Sequence, residues 1–293
     1  MIQKIKSFAK INLFLYIISK KDDGYHNLNS LMTQIDLCDD IYLNFSKKNL
    51  TVSCDHPDVP EDESNIAYQA ADLFFNLTET KIYKEQKNLS IKIIKKIPVG
   101  GGLGGGSSNA AAVLYALNNY FKKPFSTSQL MKMGLRLGAD VPFFILNCPA
   151  LAKGVGEKLE KIKTLKPYYL VLCYPGVHAS TAKVYKNIDF KLTTKQKYNI
   201  STRLNALLHG INFDIREILH NDLEESACRL YPEIKKTKEE MELLIDQKVF
   251  MTGSGSSLFA LFIKHDDAKK AYKKLLAKWN KSRKKVFLSL FSA

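Results

Sequence analysis

Residues 98–111 read PVGGGLGGGSSNAA and hold six glycines in seven positions, 100–102 and 104–106. The alternating residues from Leu89 to Ile93 predict a strand before this run, and the apolar residues from Ser107 to Phe121 predict a buried helix after it. Glycines let backbone N–H groups approach an anion closely, and the start of a helix adds the positive end of its dipole. The stretch therefore predicts a phosphate-binding loop.

Two familiar phosphate-binding loops do not fit this stretch. Gly100, Gly102 and Gly105 have the spacing of the dinucleotide fingerprint, but that motif needs an acidic residue about 20 positions on. No Asp or Glu lies between Gln86 and Ala139. The P-loop needs a lysine after its last glycine, where this chain has Ser107. A different nucleotide-binding fold is indicated, with a positive field from eight basic residues in the same stretch, Lys87, Lys92, Lys95, Lys96, Lys122, Lys123, Lys132 and Arg136.

Two residues outside the glycine run attract attention as candidates for the chemistry. Asp140 is the first acidic residue after the glycines and follows Gly138, where a helix from Ser128 should end. A carboxylate beside a phosphate site can accept the proton of an attacking hydroxyl, although a lone Asp after a helix is more often a turn residue. Alternation along Ile5 to Ile17 predicts a half-buried strand with Lys10 on its polar face, where solvation is the default.

The remaining pattern mixes strands and helices without a regular βαβ order. Ser64 and Asn65 can cap a helix that carries apolar residues from Ile66 to Leu77. Further elements are expected over Tyr168 to Cys173 (strand), Thr202 to Leu219 and Asp222 to Ile245 (helices), either side of Thr252 to Ser256 (two strands), from Asp266 (helix) and near Val286 (strand). The pattern predicts an α+β fold in two domains, residues 1–158 and 159–293, with the join in the segment 154–166.

Composition restricts the class of protein. The 293 residues carry a formal charge of +15, which fits nucleic acid, an anionic surface or a phosphorylated substrate. Only five of the 44 basic residues are arginine, which argues mildly against a protein that reads bases. Five cysteines without a CxxC pair argue against a disulfide framework or a structural zinc site and favour the cytoplasm. No membrane span, signal peptide or transit peptide is expected.

Four segments, taken together, resemble the GHMP kinase superfamily. They are residues 98–111, Ala9 to Leu13 followed by Asp23 to His26, Gly138 to Phe144, and Thr252 to Ser257. The second and third are similar to the branch that phosphorylates a cytidine-diphosphate-linked methylerythritol in the non-mevalonate isoprenoid route. Along the chain the four segments occur in the same order as in the family. The resemblance implies an ATP-binding amino-terminal domain and a ferredoxin-like carboxy-terminal domain, with a small-molecule substrate in the cleft between them.

The resemblance also implies roles for individual residues. Asp140 would take the proton of the substrate's 2-hydroxyl, and Lys10 would keep Asp140 ionised and help to neutralise the transferred phosphoryl group, with Mg²⁺ on the ATP phosphates. Asn12 would contact the methylerythritol part and His26 the cytosine edge. Tyr25 and Tyr185 would flank the base, unless they pack in the core. The ATP-binding residues would be Asn65, Lys96, Gly101, Gly102, Leu103, Gly104, Gly105, Gly106, Ser107 and Ser108; the metal ligands stay open.

Two alternatives compete with this interpretation. The glycine motif alone is shared with kinases of other small alcohols, such as homoserine or a mevalonate derivative, and the Asp23 to His26 segment favours the cytidine-linked substrate. A chain of charge +15 could also bind RNA through its lysines, but no paired aromatic and basic RNA motif is apparent. The expected partner is therefore a small molecule and not a nucleic acid or a membrane.

Overall fold

The computed structural model describes residues 2–78, 87–162, 165–188 and 214–291. In chain order its elements are β1 (Ile2–Lys20), β2 (His26–Asn44), β3 (Leu50–Cys54), α1 (Ile66–Leu77), β4 (Leu89–Ile94), α2 (Gly105–Tyr120), α3 (Thr127–Leu137), α4 (Val141–Leu146), β5 (Ala150–Gly154), β6 (Lys158–Lys161), β7 (Tyr168–Tyr174), α5 (Thr181–Lys186), a 3₁₀ turn (Ile215–Ile218), β8 (His220–Asn221), α6 (Glu224–Leu230), α7 (Pro232–Ile245), β9 (Phe250–Met251), β10 (Leu258–Phe262), α8 (His265–Trp279) and β11 (Lys285–Phe291). The predicted α+β class is confirmed.

The chain forms two compact units, each assembled from three segments. The first unit consists of Met1–Ala9, Leu37–Val99 and Gly104–Asn147; the second consists of Lys10–Asp36, Gly100–Leu103 and Cys148–Ala293. The long strands β1 and β2 and the glycine run therefore each contribute residues to both units. The domain boundary at residue 158 stays a prediction.

In its described residues, the first unit packs helices α1 to α4 with part of a mixed sheet. In the sheet, β3 runs parallel to β4, and β4 runs antiparallel to the end of β2. Helix α1 packs against α2, and both turn small apolar residues inward, among them Ala70 on α1 and Ala110 on α2. The aromatic ring of Phe74 is 1% exposed and meets those of Phe121 and Phe125. This packing holds α2, and with it the end of the glycine run, in a fixed place.

The second unit is built around an antiparallel sheet in the order β11-β7-β10-β9. Its core cluster joins residues of β7 and β10 to the buried faces of α7 and α8, for example Val171, Ala260, Met241 and Leu275. This sheet and its helices agree with the predicted ferredoxin-like architecture. The loop between β9 and β10 carries Thr252 to Ser257, the third glycine motif of the family, and lies between two strands as the sequence predicts.

One strand prediction needs correction at the level of burial. Alternation in β1 assigns Lys10, Asn12 and Tyr16 to a solvated face, but every residue from Ala9 to Ile17 is buried. Lys10 and Asn12 are each 5% exposed. The alternation of side chains reports their polarity, whereas burial depends on what other segments cover each face. Lys10 is therefore a buried cation. The sequence alone predicts the opposite, because lysine side chains are rarely buried.

The helix predicted over Asp222 to Ile245 is two helices. Helix α6 ends at Leu230, and α7 begins with Pro232, after Tyr231 leaves helical geometry. Proline lacks the N–H that a continuous helix needs, but it suits the first turn of a new one. The sequence predicts a long loop between the strand that ends at Cys173 and the helix expected from Thr202. This segment contains the short helix α5. Most of the helix predicted over Thr202 to Leu219 lies outside the described residues, and its end forms the 3₁₀ turn.

Candidate active site

The end of the glycine run forms an uncapped helix start in the first unit. Gly104 is the N-cap of α2 with φ of 70°, a left-handed conformation that favours glycine. The first N–H groups of any helix lack an acceptor within it, and Gly104 has no side chain to supply one. Since the first turn holds no acidic residue, these N–H groups and the helix dipole favour an anion at this point.

Asp140 lies in a turn beside the same helix start. It precedes α4, and its backbone is helical (φ −84°, ψ −14°) with the side chain partly buried. The turn begins at Gly138, where a Cβ atom would lie 3.8 Å from both Ser107 Oγ and Ile66 Cδ1. The first unit thus brings together the turn of Asp140, the start of α2 and the start of α1.

Ser107 and Ser108 differ in their surroundings. Ser107 is partly exposed at the start of α2, beside the turn of Asp140. Ser108 is 3% exposed, and its hydroxyl accepts a hydrogen bond from Ser7 Oγ at 2.7 Å. Of the two predicted hydroxyls, Ser107 is the one directed away from the interior.

The two residues predicted on the adenine side also differ. Asn65 is 3% exposed and caps α1, with Oδ1 accepting from Ala67 N (2.9 Å) and Nδ2 donating to Pro60 O (2.6 Å). Lys96 is half exposed and pairs with Asp40 at 2.8 Å. This contact raises the pKa of Lys96 and lowers the pKa of the Asp40 carboxyl. The pair joins a half-exposed lysine to a buried carboxylate, so solvent reaches only the Lys96 side of it, whereas Asn65 is held through both ends of its amide.

The beginning of the glycine run packs against the third glycine motif in the second unit. Ser257 N donates to Gly101 O at 3.1 Å, and Lys10 N donates to Leu103 O at 3.0 Å. Gly102 has φ of 75°, and a Cβ there would lie 2.7 Å from the carbonyl oxygens of Thr252 and Gly255. Only glycine allows this close approach of two backbones.

Lys10 belongs to a buried polar chain in the second unit. Its Nζ donates to Asn12 Oδ1 at 2.7 Å, and Asn12 Nδ2 donates to Ser30 Oγ at 2.7 Å. The backbone N–H of Asn12 donates to Thr252 Oγ1 at 2.8 Å. The two residues predicted for catalysis and for the methylerythritol part, Lys10 and Asn12, are therefore neighbours. Lys10 belongs to the second unit and Asp140 to the first.

Two of the residues predicted to contact cytosine, His26 and Tyr185, are neighbours in the second unit. His26 is 7% exposed, and its ring lies 5.4 Å from that of Tyr185 on α5, tilted by 40°. Burial, and secondarily Lys20, lowers the pKa of His26 below its ordinary value. The ring is therefore neutral at pH 7 and can both donate and accept. Tyr25 is 65% exposed, so core packing, the alternative for both tyrosines, does not hold for it.

Two further polar residues of the second unit lie close to predicted site residues, although neither was predicted individually. Thr252 accepts from the backbone of Asn12, and Asn221 Nδ2 donates to Met251 O and Gly253 O at 2.8 Å each. The sequence signals Thr252 through its place in the third glycine motif. It carries no signal for Asn221, because this contact joins strand β8 to a loop 30 residues away.

Comparison with known proteins identifies the family. The profile of the GHMP kinases N terminal domain matches residues 65–148, and that of the GHMP kinases C terminal matches residues 206–281. The 4-diphosphocytidyl-2-C-methyl-D-erythritol kinase of Citrifermentans bemidjiense is 39% identical over 264 residues, 90% of each chain. The enzyme of the same name from Syntrophotalea carbinolica is 40% identical, over 91% of this chain and 92% of its own.

Solved structures agree with these matches. A crystal structure of 4-(cytidine 5'-diphospho)-2C-methyl-D-erythritol kinase is similar with a TM-score of 0.79 and 31% identity, and the match covers 99% of this chain and 100% of that one. The homoserine kinase from Cytophaga hutchinsonii has a TM-score of 0.73 at 18% identity, covering 99% and 95%, which shows a shared fold only. The chain therefore belongs to the GHMP kinases, ATP-dependent phosphotransferases of small molecules, and within them to the 4-diphosphocytidyl-2-C-methyl-D-erythritol kinases.

Proposed function

We propose that this kinase transfers the γ-phosphoryl group of ATP to the 2-hydroxyl of 4-diphosphocytidyl-2-C-methyl-D-erythritol. The observation that carries the proposal is the position of Asp140, whose turn lies against the uncapped start of α2. A group that can accept a proton thus stands beside a group that can bind phosphate. In phosphoryl transfer, catalysis rests mainly on such positioning and on the neutralisation of charge.

On the ATP side, we assign the phosphates to the glycine run. The N–H groups of Gly105, Gly106 and Ser107 begin α2 and offer donors together with the helix dipole. The remaining residues predicted for ATP are Gly101, Gly102, Leu103, Gly104 and Ser108 along the run, and Asn65 and Lys96 toward the adenine. The half-exposed side chain of Lys96 supports its role as a lysine that can turn to ATP.

Asp140 and Lys10 are assigned the chemistry. Asp140 accepts the proton of the 2-hydroxyl as its oxygen attacks phosphorus. Lys10 is buried, and its positive charge favours the ionised form of a nearby carboxylate and offsets the negative charge of the transferred group. The bond from Lys10 to Asn12 supports a common site, since Asn12 is assigned to the methylerythritol part.

The cytidine end of the substrate is assigned to His26 and two tyrosines. A buried neutral histidine can present both a donor and an acceptor to the edge of cytosine. Tyr185 already lies against His26, and the exposed ring of Tyr25 is available to cover the other face of the base.

We propose Mg²⁺ as the metal that accompanies ATP. In the part of the chain that the structure describes, no three His, Cys, Asp or Glu residues are grouped to hold a metal. This suits Mg²⁺, which keeps several waters and is bound by substrate phosphates with one or two protein oxygens. The Ser107 hydroxyl and the Asp140 carboxylate are the oxygens that would hold it. When bound, the metal neutralises charge on the phosphates.

The cytoplasm is the proposed location. All five cysteines are free thiols, and Cys173 is fully buried, where burial raises its pKa to about 12. Free thiols of this kind suit a reducing compartment. Among the described residues, we find no helix with the length and apolar character of a membrane span. Cell fractionation that recovered the protein outside the cytoplasmic fraction would contradict the assignment.

Substitution of Asp140 tests the proposed chemistry. Asp140→Asn keeps the shape of the side chain but removes its ability to take a proton. We expect kcat to fall by about 10²–10⁴-fold, with the dissociation constant for ATP changed less than twofold. A coupled assay of ADP formation and calorimetric titration with ATP measure the two quantities.

The matched control makes the same chemical change elsewhere in the first unit. Asp72 pairs with Lys87 on the surface of α1, and Asp72→Asn should leave kcat within twofold of the unmutated enzyme. A folded Asp140→Asn variant with kcat close to that of the Asp72→Asn control would refute the role of Asp140.

A further inference from the structure

A buried carboxylate that the proposed reaction does not use lies within the first unit. Asp39 is fully buried, and its Oδ1 accepts from the backbone N–H groups of Lys96 (2.8 Å) and Ile97 (2.9 Å). Its Oδ2 accepts from Asn109 Nδ2 at 2.9 Å and from the ammonium group of Lys95. Two carboxylate oxygens offer about four acceptor sites, so these four donors satisfy the group completely.

These donors lie on the two sides of the glycine run. Lys96 and Ile97 lie just before the glycine run, which starts at Gly100. Asn109 lies just after the run, in the second turn of α2. A single carboxylate therefore ties the strand side of the loop to its helix side. The loop that it closes, residues 98–108, is the one assigned to the ATP phosphates.

A second contact fixes the helix side of the loop to strand β1. Asn109 Nδ2 also donates to Ser7 Oγ at 2.8 Å, and Ser7 Oγ donates to Ser108 Oγ at 2.7 Å. Ser7, Ser108 and Asn109 are each 3% exposed or less. The start of α2 is thus held by charged and neutral hydrogen bonds away from solvent, where such bonds are stronger than at a surface.

Lys95 and Lys96 are neighbours in sequence with opposite situations. The Lys95 side chain is 5% exposed and bound to Asp39, and its Nζ would lie 3.1 Å from a Cβ atom on Gly105. The Lys96 side chain is 52% exposed and is bound to Asp40, whose side chain is 11% exposed. Lys95 therefore balances the buried charge below the loop, and Lys96 is the lysine that can reach a ligand.

We propose that Asp39 and Asn109 are positioning residues that hold the glycine loop in the geometry that binds ATP. The inference rests on the proposed assignment of the ATP phosphates to this loop. Neither residue touches ATP. Each acts through the backbone N–H groups and the first turn of α2, whose placement decides how well the phosphates are bound.

The test uses two buried asparagines on the same helix. Asn109→Ala removes the bonds to Asp39 and Ser7 at the start of α2, whereas Asn118→Ala removes the bonds to the backbone of Phe125 near its end. Both changes delete a buried amide that makes several hydrogen bonds, three for Asn109, whose Oδ1 also accepts from Lys95 Nζ at 3.4 Å, and two for Asn118. Both should therefore lower the thermal midpoint of unfolding. We expect only Asn109→Ala to raise the KM for ATP, by about tenfold, the scale of one hydrogen bond to a charged group. The KM for the cytidine substrate should change less than twofold.

Several outcomes decide the matter. An unchanged KM for ATP in folded Asn109→Ala, or an equal rise in Asn118→Ala, would reduce the network to a purely structural role and overturn the inference. If Asn109→Ala fails to fold, Ser7→Ala provides the same measurement, with an expected rise of about threefold in the KM for ATP. Calorimetric titration with ATP separates this inference from the proposed reaction. A tenfold weaker ATP affinity in Asn109→Ala supports the positioning role even if the unmutated protein fails to phosphorylate the cytidine substrate.

Discussion

At the scale of single residues, burial decides what a side chain can do in this protein. Lys10 and His26 are ordinary ionisable residues in the sequence, but they are 5% and 7% exposed in the structure. Burial disfavours the charged form of histidine, so His26 is held neutral and keeps one acceptor nitrogen. The same burial places the charge of Lys10 where little water screens it, which strengthens its effect on neighbouring groups. Lys96 is half exposed, so water screens its charge more than that of Lys10.

The lowered pKa of His26 predicts the pH dependence of substrate binding. A pKa below the ordinary 6.5 means that His26 is mostly neutral as the pH falls from 8 to 6.5, and that most of its protonation takes place below that range. The KM for the cytidine substrate, measured at saturating ATP, should therefore be constant over this range and rise at lower pH, because the protonated ring loses its acceptor.

The control for this pH profile is His26→Gln, which offers a donor and an acceptor but does not titrate. Its KM should be higher than that of the unmutated enzyme and free of the rise caused by His26. A rise in KM with its midpoint above pH 6.5 in the unmutated enzyme, and absent from His26→Gln, would contradict a lowered pKa.

At the scale of elements, the glycine run 100–106 shows two different uses of glycine. The left-handed Gly104 ends the loop and begins α2 without a capping side chain, which leaves N–H donors at the helix start. Gly102 serves packing, since the carbonyl oxygens of the third motif come within 2.7 Å of its absent Cβ. Gly106 has neither constraint, because a Cβ there would make an ordinary contact of 3.5 Å with Ile66 Cγ2.

This difference predicts opposite effects of two glycine-to-alanine changes. Gly102→Ala should lower the free energy of unfolding by about 2 kcal/mol or more, because alanine is strained at positive φ and its Cβ overlaps two carbonyl oxygens. Gly106→Ala lies in the first turn of α2, where alanine is favoured, and should leave stability unchanged or raise it by up to about 1 kcal/mol. Thermal unfolding compares the two variants, and equal midpoints would show that Gly102 is not packed as described.

At the scale of the whole molecule, the fold does not choose the substrate. The homoserine kinase of similar fold shares only 18% of its residues with this chain. The net charge of +15 suits a phosphorylated substrate as well as RNA, and the family matches support the first of these. Discrimination among kinases of one fold must therefore rest on particular side chains, and we propose Asn12, His26 and Tyr185 for this role.

A substrate panel tests this at the level of the complete enzyme. With ATP as donor, kcat/KM for 4-diphosphocytidyl-2-C-methyl-D-erythritol should exceed those for homoserine and mevalonate by at least about a thousandfold. The reason is that a site built to hydrogen-bond a base leaves its buried polar groups unpaired when the base is missing. Comparable values for mevalonate would revive the broader alternative of another small-alcohol kinase.

The sequence by itself determined the glycine loop, the strand and helix on either side of it, and the family. Each of these depends on local pattern: glycines between a strand and a helix, the cap at Asn65, and the stop at Gly138. The uninterrupted helix expected over Asp222 to Ile245 was wrong because periodicity outweighed the effect of Pro232, which was also visible in the sequence.

Only the tertiary structure decided the burial of Lys10, the contact of His26 with Tyr185, and the network of Asp39. These depend on residues far apart in the chain: Asp39 meets Lys96 and Asn109 across 57 and 70 positions, and Asn12 meets Thr252 across 240. Periodicity reports only the polarity of a residue and its near neighbours, whereas solvation, pKa and hydrogen bonding depend on which distant segments cover it. The sequence thus specifies the chemical type of each candidate site residue, whereas the packing of segments within each unit sets its environment.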